Sequence, residues 1–375
     1  MKRTSKAIEE VELESDLLSK DEAVQIQRPL AQQVEEHVKR KQAVPVVELT
    51  STGADLLDLV SGGGYPWGKM INIVGDKSTG KTLLGSELIS CAFKKYGKEL
   101  EWFYDDAEAG YSFNSQQLYG IDIVAPDDEC SDTLEDFQLN LRNKLDKLKS
   151  GKRMIYILDS FDSLTSDDEL EQYEKKMKAY EKGKKPESGS YGTSKSKGMS
   201  LYFRVIKRLL KDKNCLLIII SQVRENIGAM FGAKYVRVGG KWLDFYAAQI
   251  FWLAEVEKHK KGDRHSGITI KVRNTKNKIG KPFRECFIEL LFDYGIDNIT
   301  TSLMFFFDLK TDTGKNVSGI DKQILVWDGK EFTLRKLVRH IEQNNQEDDL
   351  LTKIKTRWEY LEEKACTSNG RKSKF

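Results

Sequence analysis

The chain is poor in the residues that build covalent or metal frameworks. It has 5 cysteines and 4 histidines in 375 residues. The cysteines, at 91, 130, 215, 286 and 366, are odd in number, far apart and never arranged as CxxC. That pattern excludes a disulfide scaffold and a structural zinc site, and it fits a reducing compartment. Only 6 residues are proline, which excludes collagen-like and proline-rich disordered architectures. Long apolar runs are missing: the longest pure aliphatic stretch, Leu216 to Ile220, is far too short to cross a bilayer. Met1 to Ser19 is charged throughout, without the apolar centre of a secretory signal. These absences predict a cytoplasmic protein with no membrane partner. An excess of one charge is missing too. Lys and Arg number 61 against 58 Asp and Glu, a net charge of +3. This excludes a histone-like polycation but leaves room for a locally basic surface.

A chain of this length has room for about two or three domains. Residues 1–45 are highly charged, carry apolar residues at roughly helical spacing and are interrupted by Pro29 and Pro45. They read as an N-terminal helical segment with a linker. Residues 46–295 alternate short apolar runs with longer helical patterns, the signature of a parallel sheet covered by helices. Met70–Val74, Leu100–Tyr104, Met154–Leu158 and Leu216–Ile220 are candidate buried strands, because strands covered on both faces are continuously apolar. Further strands fit Gln249–Leu253, Ile268–Val272 and Phe287–Phe292. Residues 296–375 read as a small α/β domain. There, Ile324–Trp327 and Phe332 bracket an Asp-Gly turn at 328–329, and a helix follows from about Leu334 to Asn344. The fold class is α/β. One stretch breaks the rhythm. Ser166 to Lys197 is almost wholly polar, acidic first and basic later, and reads either as a solvated insertion or as a functional loop.

Gly75-Asp76-Lys77-Ser78-Thr79-Gly80-Lys81-Thr82 fits G-x-x-x-x-G-K-[ST]. It follows a predicted strand and opens a predicted helix, the context this motif needs. Its glycines let backbone N–H groups curl round a phosphate, and the helix N-terminus adds a positive dipole. Lys81 supplies a point charge for the β- and γ-phosphates, and the Thr82 hydroxyl is a ligand for Mg²⁺. ATP and Mg²⁺ are the expected ligand and cofactor. The run Met154–Leu158 ends in Asp159, a carboxylate placed to hold the metal through water. Leu100–Tyr104 runs into Asp105-Asp106-Ala107-Glu108, at the sheet edge where ligands bind in open α/β folds. Glu108 is a candidate general base; the plainer reading makes these acids the cap of the next helix.

Several segments, in order, resemble the RecA recombinase family. Ser51 to Asp58 and Gly62 to Gly68 precede the phosphate loop as they do in that family, Asp106-Ala107-Glu108 resembles its D-A-E, and Asp159-Ser160 its second metal motif. The resemblance covers roughly residues 46–295. It implies that Glu108 is the catalytic base and that Gln222, in Ser221-Gln222-Val223-Arg224, senses the γ-phosphate. It implies a first DNA-binding loop near 166–199 and a second near 223–239, the latter leaving through Gly239-Gly240-Lys241. In Lys276-Asn277-Lys278-Ile279 the two lysines would reach the ATP of a neighbouring subunit. Arg204 and Arg224 suit phosphate contacts, while Met199 and Ile227 are apolar wedges suited to unstacking bases. The plainer readings are core packing for Met199, at the start of a helix over 199–210, and a solvent-facing Arg204. A run of lysines and arginines between 258 and 284 forms a local basic footprint.

Three features depart from the family pattern. The 166–197 segment is longer than the usual first loop. The tail Arg371-Lys372-Ser373-Lys374 is basic. Ser115 stands where the family often has an adenine-stacking tyrosine, a place Tyr111 or Phe113 can fill. The resemblance implies an ATP-dependent recombination and repair protein that forms a helical filament on single-stranded DNA. It would pair that strand with double-stranded DNA, with ATP at the interface between subunits. A RecA-fold ring helicase and a non-hydrolysing recombination mediator are the alternatives.

Overall fold

A computed structural model of the protein describes residues 47–183, 193–225, 235–237, 241–311 and 313–365. The expected N-terminal helices, Ile227, Gly239, Gly240 and the basic tail lie outside the described residues. From Glu48 onward the chain forms one compact unit.

A short pair, β1 (Leu49–Thr50) with β2 (Tyr65–Pro66), brackets helix α1 (Asp55–Ser61). The main elements follow. Strand β3 (Met70–Gly75) leads to α2 (Lys81–Tyr96), β4 (Leu100–Asp106) to α3 (Ser115–Tyr119) and α4 (Leu134–Lys147), and β5 (Arg153–Asp159) to α5 (Asp167–Glu181) and α6 (Thr193–Asp212). Next come β6 (Cys215–Glu225), β7 (Tyr235–Arg237) and α7 (Trp242–Tyr246), then β8 (Gln249–Lys261), β9 (Arg264–Asn277), β10 (Glu285–Leu291) and β11 (Gly295–Ile296). Helix α8 (Asn298–Phe306), the hairpin β12 (Leu325–Trp327) with β13 (Lys330–Phe332), α9 (Leu334–Asn344) and α10 (Glu347–Lys364) complete it.

The main sheet runs β11-β10-β9-β8-β3-β6-β5-β4, with β7 paired to β6. Its centre, β8-β3-β6-β5-β4, is parallel. The far side, β8 to β11, is antiparallel, because tight connections there return the chain at once. The continuous apolar runs divide by the period of two. Ile71, Ile73, Ile155, Ile157, Ile218 and Ile220 enter one core, with α1, α2 and the C-terminal helices. Met70, Val74, Met154, Tyr156, Leu158, Leu217 and Ile219 enter the other, with α4, α6 and α7. Each fully buried aliphatic side chain contributes about 1.5–3 kcal/mol relative to exposure.

Residues 296–375, expected as a separate domain, share the first core through Leu325, Trp327, Leu337, Ile341 and Ile354. Arg284 donates to Glu362 of α10, and Lys281 does so at 2.8 Å. The Asp-Gly hairpin is as expected: Asp328 and Gly329 both have positive φ, 48° and 74°, the conformation a two-residue turn between twisted strands requires. Within the 166–197 stretch, Asp167–Glu181 form a helix where a loop was expected. Ser166 accepts from the Glu169 N–H and its own N–H donates to the Glu169 carboxylate, a reciprocal cap that starts α5.

Candidate nucleotide site

Four parallel strands deliver the site to one edge of the sheet. Gly75 at the end of β3 is level with Gln222 on β6, and Asp106 on β4 is level with Asp159 on β5. The phosphate loop leaves β3 and enters α2 at Gly80, whose φ of 80° is left-handed. A side chain at Gly80 would meet Leu290 Cδ1 at 2.4 Å, and one at Gly75 would meet Thr79 Oγ1 at 2.6 Å. Gly75, hemmed in also by Leu253 Cβ and its carbonyl oxygen, needs glycine for space, and Gly80 needs it for conformation.

The Lys81 ammonium donates to the Asp76 carbonyl at 2.7 Å. Burial pulls its pKa down, and the nearby carboxylates of Asp159 and Glu108 oppose that. Thr82 Oγ1 donates to Asp159 Oδ2 at 2.7 Å, so the two expected metal-binding side chains already touch. Among the described residues no group of three or more His, Cys, Asp or Glu side chains forms a metal-ligand cluster. One hydroxyl beside one carboxylate suits a hard cation that keeps several waters and takes its other ligands from phosphates.

Glu108 faces the same space. Ser160 Oγ donates to its Oε1 at 2.6 Å, and Gln222 Nε2 donates to the same oxygen. The cap reading does not hold: Asn114 caps the next helix, the Asp106 carboxylate accepts from the Tyr111 N–H at 2.7 Å in the loop before it, and Asp105 is buried with Ser131 and Tyr156. Gln222 is also held from below, its N–H donating to Asp162. Burial raises the Asp162 carboxyl to about 6. Asp162 and Tyr104 were not legible as site residues. Tyr104, fully buried, donates to Asp159 Oδ2 at 2.6 Å.

Beside the phosphate loop lies a half-open cavity of about 480 Å³, lined by Ser78, Gly80, Leu83, Phe113, Ile268 and Leu290 among others. Phe113 is part of that lining. Tyr111 is not: its hydroxyl is 2.9 Å from Ser86 Oγ, and its ring packs on Tyr104. Ser115 is buried and accepts from the Ile123 N–H.

The other expected residues lie elsewhere. Lys276 and Lys278 sit together, their ammonium groups donating to backbone carbonyls at Asp244 and Phe245. Burial lowers the Lys276 pKa, and Lys278 adds to this. On the ladder, Lys276 pairs with Ile250 and Asn277 with Gln249, which is level with Ile71 at the start of β3. The phosphate loop begins at the opposite end of that strand, about 13 Å further on at ~3.3 Å per residue. Arg204 and Arg224 are exposed. Met199 is a correction. It is 0% exposed in the second core, with its sulfur 3.6 Å from Gln138 Nε2, so it is packed rather than presented to bases. Arg237 was missed; it donates to buried Asn72 of β3 at 3.0 Å and to Asp244 at 2.9 Å, anchoring β7 to the sheet.

A glycine-rich phosphate loop, a hydroxyl–carboxylate pair and a base-like glutamate at the carboxyl edge of a parallel sheet define a P-loop nucleotide-binding protein. The family model described as the RecA N-terminal domain matches residues 23–297. Protein RecA of Synechococcus sp. (strain CC9902) is 32% identical over 269 residues, covering 72% of this chain and 65% of that protein. Protein RecA of Acinetobacter baylyi (strain ATCC 33305 / BD413 / ADP1) is 31% identical over 265 residues, 68% of each. This chain belongs to the RecA family. It spans about two thirds of the length of these relatives. The crystal structure of the RadB recombinase aligns over 66% of this chain and 98% of its own, at 16% identity and a TM-score of 0.45.

Proposed function

We propose that this protein is an ATP-dependent recombination and repair protein. It forms a filament on single-stranded DNA, pairs that strand with double-stranded DNA, and hydrolyses ATP to control release. The observation that carries this reading is the meeting of Lys81, Thr82, Asp159, Glu108 and Gln222 at one sheet edge. Gln222 stands at the root of the 223–239 loop.

Lys81 and the loop N–H groups hold the phosphates of ATP. Thr82 and Asp159 would hold Mg²⁺, whose contribution would be to neutralise charge on those phosphates. Phe113 offers its ring to the adenine. Glu108 takes a proton from the attacking water. The hydrogen bonds from Ser160 and Gln222 fix its carboxylate but also occupy it. Freeing Glu108 and turning Gln222 toward the γ-phosphate are one movement. That movement couples the nucleotide to the second DNA loop. Arg204 and Arg224 contact DNA phosphates, a sequence-independent and salt-sensitive interaction.

Lys276 and Lys278 lie at the sheet end away from their own phosphate loop. This supports an ATP site completed by the lysines of a neighbouring subunit. The deciding experiment measures ATP hydrolysis with and without single-stranded DNA, with Glu108→Gln as control. Stimulation by DNA that vanishes in the variant is expected. DNA-independent hydrolysis would point to a motor, and absence of hydrolysis in folded protein to a mediator.

A further inference from the structure

Helix α5 has no buried residue along its 15 positions. It nevertheless carries Leu170, Tyr173, Met177 and Tyr180, spaced three, four and three apart on one face. Tyr173 and Tyr180 are 62% and 61% exposed, Leu170 and Met177 somewhat less. A helix this short is marginal in water unless its apolar face is covered. The stripe has a charged border: Asp167, Glu174 and Glu181, seven residues apart, line one side. The whole helix holds six acidic residues and three lysines, a net charge of −3.

The outward face of α6 is its counterpart. Leu201 and Val205 are 61% and 64% exposed, and they continue the spacing at the half-buried Leu209. Arg204, Lys207, Arg208 and Lys211 are exposed along one border of that stripe. None of the four side chains has a hydrogen bond or ion pair among the described residues.

We propose that α5 of one copy of this chain docks on the outward face of α6 of a second copy, with the two helices parallel. Direction follows from the borders. When two helices face each other in parallel, the right border of one stripe meets the left border of the other, as in a parallel coiled coil. On α5 the acids follow the apolar stripe in the helical sense, and on α6 the basic residues precede it. Parallel docking therefore joins acid to base, and antiparallel docking does not. In register, Tyr173 meets Leu201, Met177 meets Val205, and Glu181 lies beside Arg204. Leu170 falls on Gly198, which leaves room for it. Charge complementarity in the parallel direction is met by a second copy, and docking on the chain's own α6 is the competing outcome, which labelling one copy separates.

The contact joins two different surfaces, so it repeats in a row or, made reciprocally, closes a ring or a pair. One helix seam lies well under the ~1,200 Å² of a stable interface, so each contact is weak and gains strength by repetition. The docked helix also covers Arg204. If Arg204 contacts DNA, as proposed above, then DNA and α5 exclude each other on α6. The docking itself does not depend on that reading.

The test mixes full-length ¹⁵N-labelled Met177→Cys with unlabelled Val205→Cys under mild oxidation, followed by mass spectrometry of the disulfide peptides. A labelled–unlabelled disulfide between positions 177 and 205 is expected. It should fall at least several-fold when the Val205→Cys copy also carries Arg204→Glu. It should return when the partner carries Glu181→Arg. The Tyr173→Cys and Leu201→Cys pair serves as a second reporter, and circular dichroism checks that every variant is folded. The proposal is overturned by folded variants that give no cross-copy disulfide with either pair. It is equally overturned by a disulfide indifferent to the charge reversals, or by one formed only within a double variant at all dilutions.

Discussion

The hydroxyl of Tyr104 donates to Asp159 Oδ2 at 2.6 Å, between neighbouring strands and out of solvent. Burial pushes the Asp159 carboxyl above its usual range, and the Tyr104 and Thr82 hydrogen bonds pull it back. If Thr82 turned its hydroxyl oxygen toward a metal, as proposed, Tyr104 would remain as the donor that aims the carboxylate. Tyr104→Phe keeps the ring and removes one hydrogen bond, about 1–1.5 kcal/mol or roughly 5–10-fold. The expected result is a Mg²⁺ requirement raised by that factor, both in hydrolysis and in binding of a fluorescent nucleotide. Unfolding temperature should change little. A slower enzyme with an unchanged Mg²⁺ midpoint would reduce Tyr104 to a packing residue.

The parts of this site set by local sequence were the legible ones. The phosphate loop, Asp159 and the buried strands each follow from a short pattern of glycine, charge or continuous apolar residues. The turn at Asp328-Gly329 was equally plain, because few dipeptides accept two positive φ values. What sequence could not show depends on which strand lies beside which. Tyr104 reads as one more apolar strand residue until β4 is placed against β5. Asp162 and Arg237 gain meaning only through Gln222 and Asn72, far away along the chain. Met199 was misread because an apolar residue next to a polar stretch looks like a wedge. In the fold, the helix starts earlier, at Thr193, and turns that side chain inward. The charged composition of 166–183 likewise concealed a helix, since its four apolar residues at helical spacing, Leu170, Tyr173, Met177 and Tyr180, are outnumbered by charges.

Gln222 touches two carboxylates, one through its side chain and one through its backbone. Its Nε2 donates to Glu108, and its N–H donates to Asp162 just ahead of the 223–239 loop. Gln222→Ala should leave ATP binding near normal and abolish stimulation by single-stranded DNA. A hydrogen bond to a charged group is worth about 1.5–3 kcal/mol, so a roughly 10–100-fold fall in the DNA-stimulated rate is expected. Glu108→Gln, by contrast, should lose about 10²–10⁴ with or without DNA. If Gln222→Ala hydrolyses ATP at the wild-type DNA-stimulated rate, the coupling does not run through this residue.

Asp55 makes stability depend on pH away from the site. Burial, then the neighbouring Asp58 and Asp348, push its carboxyl from 3.8 up to about 6, with Lys355 opposing. The folded chain thus binds this proton more tightly than the unfolded chain. The stability from the protonated form is full below about pH 4 and is lost as pH rises through about 6. Asp55→Asn should therefore raise the unfolding free energy at pH 7.5 by about 1–2 kcal/mol, after allowance for partial exposure and the lost charge at a helix start. The gain should shrink toward zero, or reverse slightly, at pH 4. A gain of equal size at both pH values would exclude Asp55 titration as its cause.

Lys276 and Lys278 provide the sharpest test of assembly. Their ladder positions put them level with the start of β3, while Lys81 follows its end. A single subunit with Lys276→Ala has an intact phosphate loop, and one with Lys81→Ala has intact lysines. Each variant alone should be nearly inactive in DNA-stimulated hydrolysis. In a random equal mixture of a head-to-tail assembly, about one interface in four combines the intact half of each. Activity should therefore recover to roughly a quarter of wild type, and the doubly substituted chain should contribute nothing when mixed with either. Recovery that stays at zero across all mixing ratios, with mixed assemblies visible by electron microscopy, would mean that the lysines serve their own subunit.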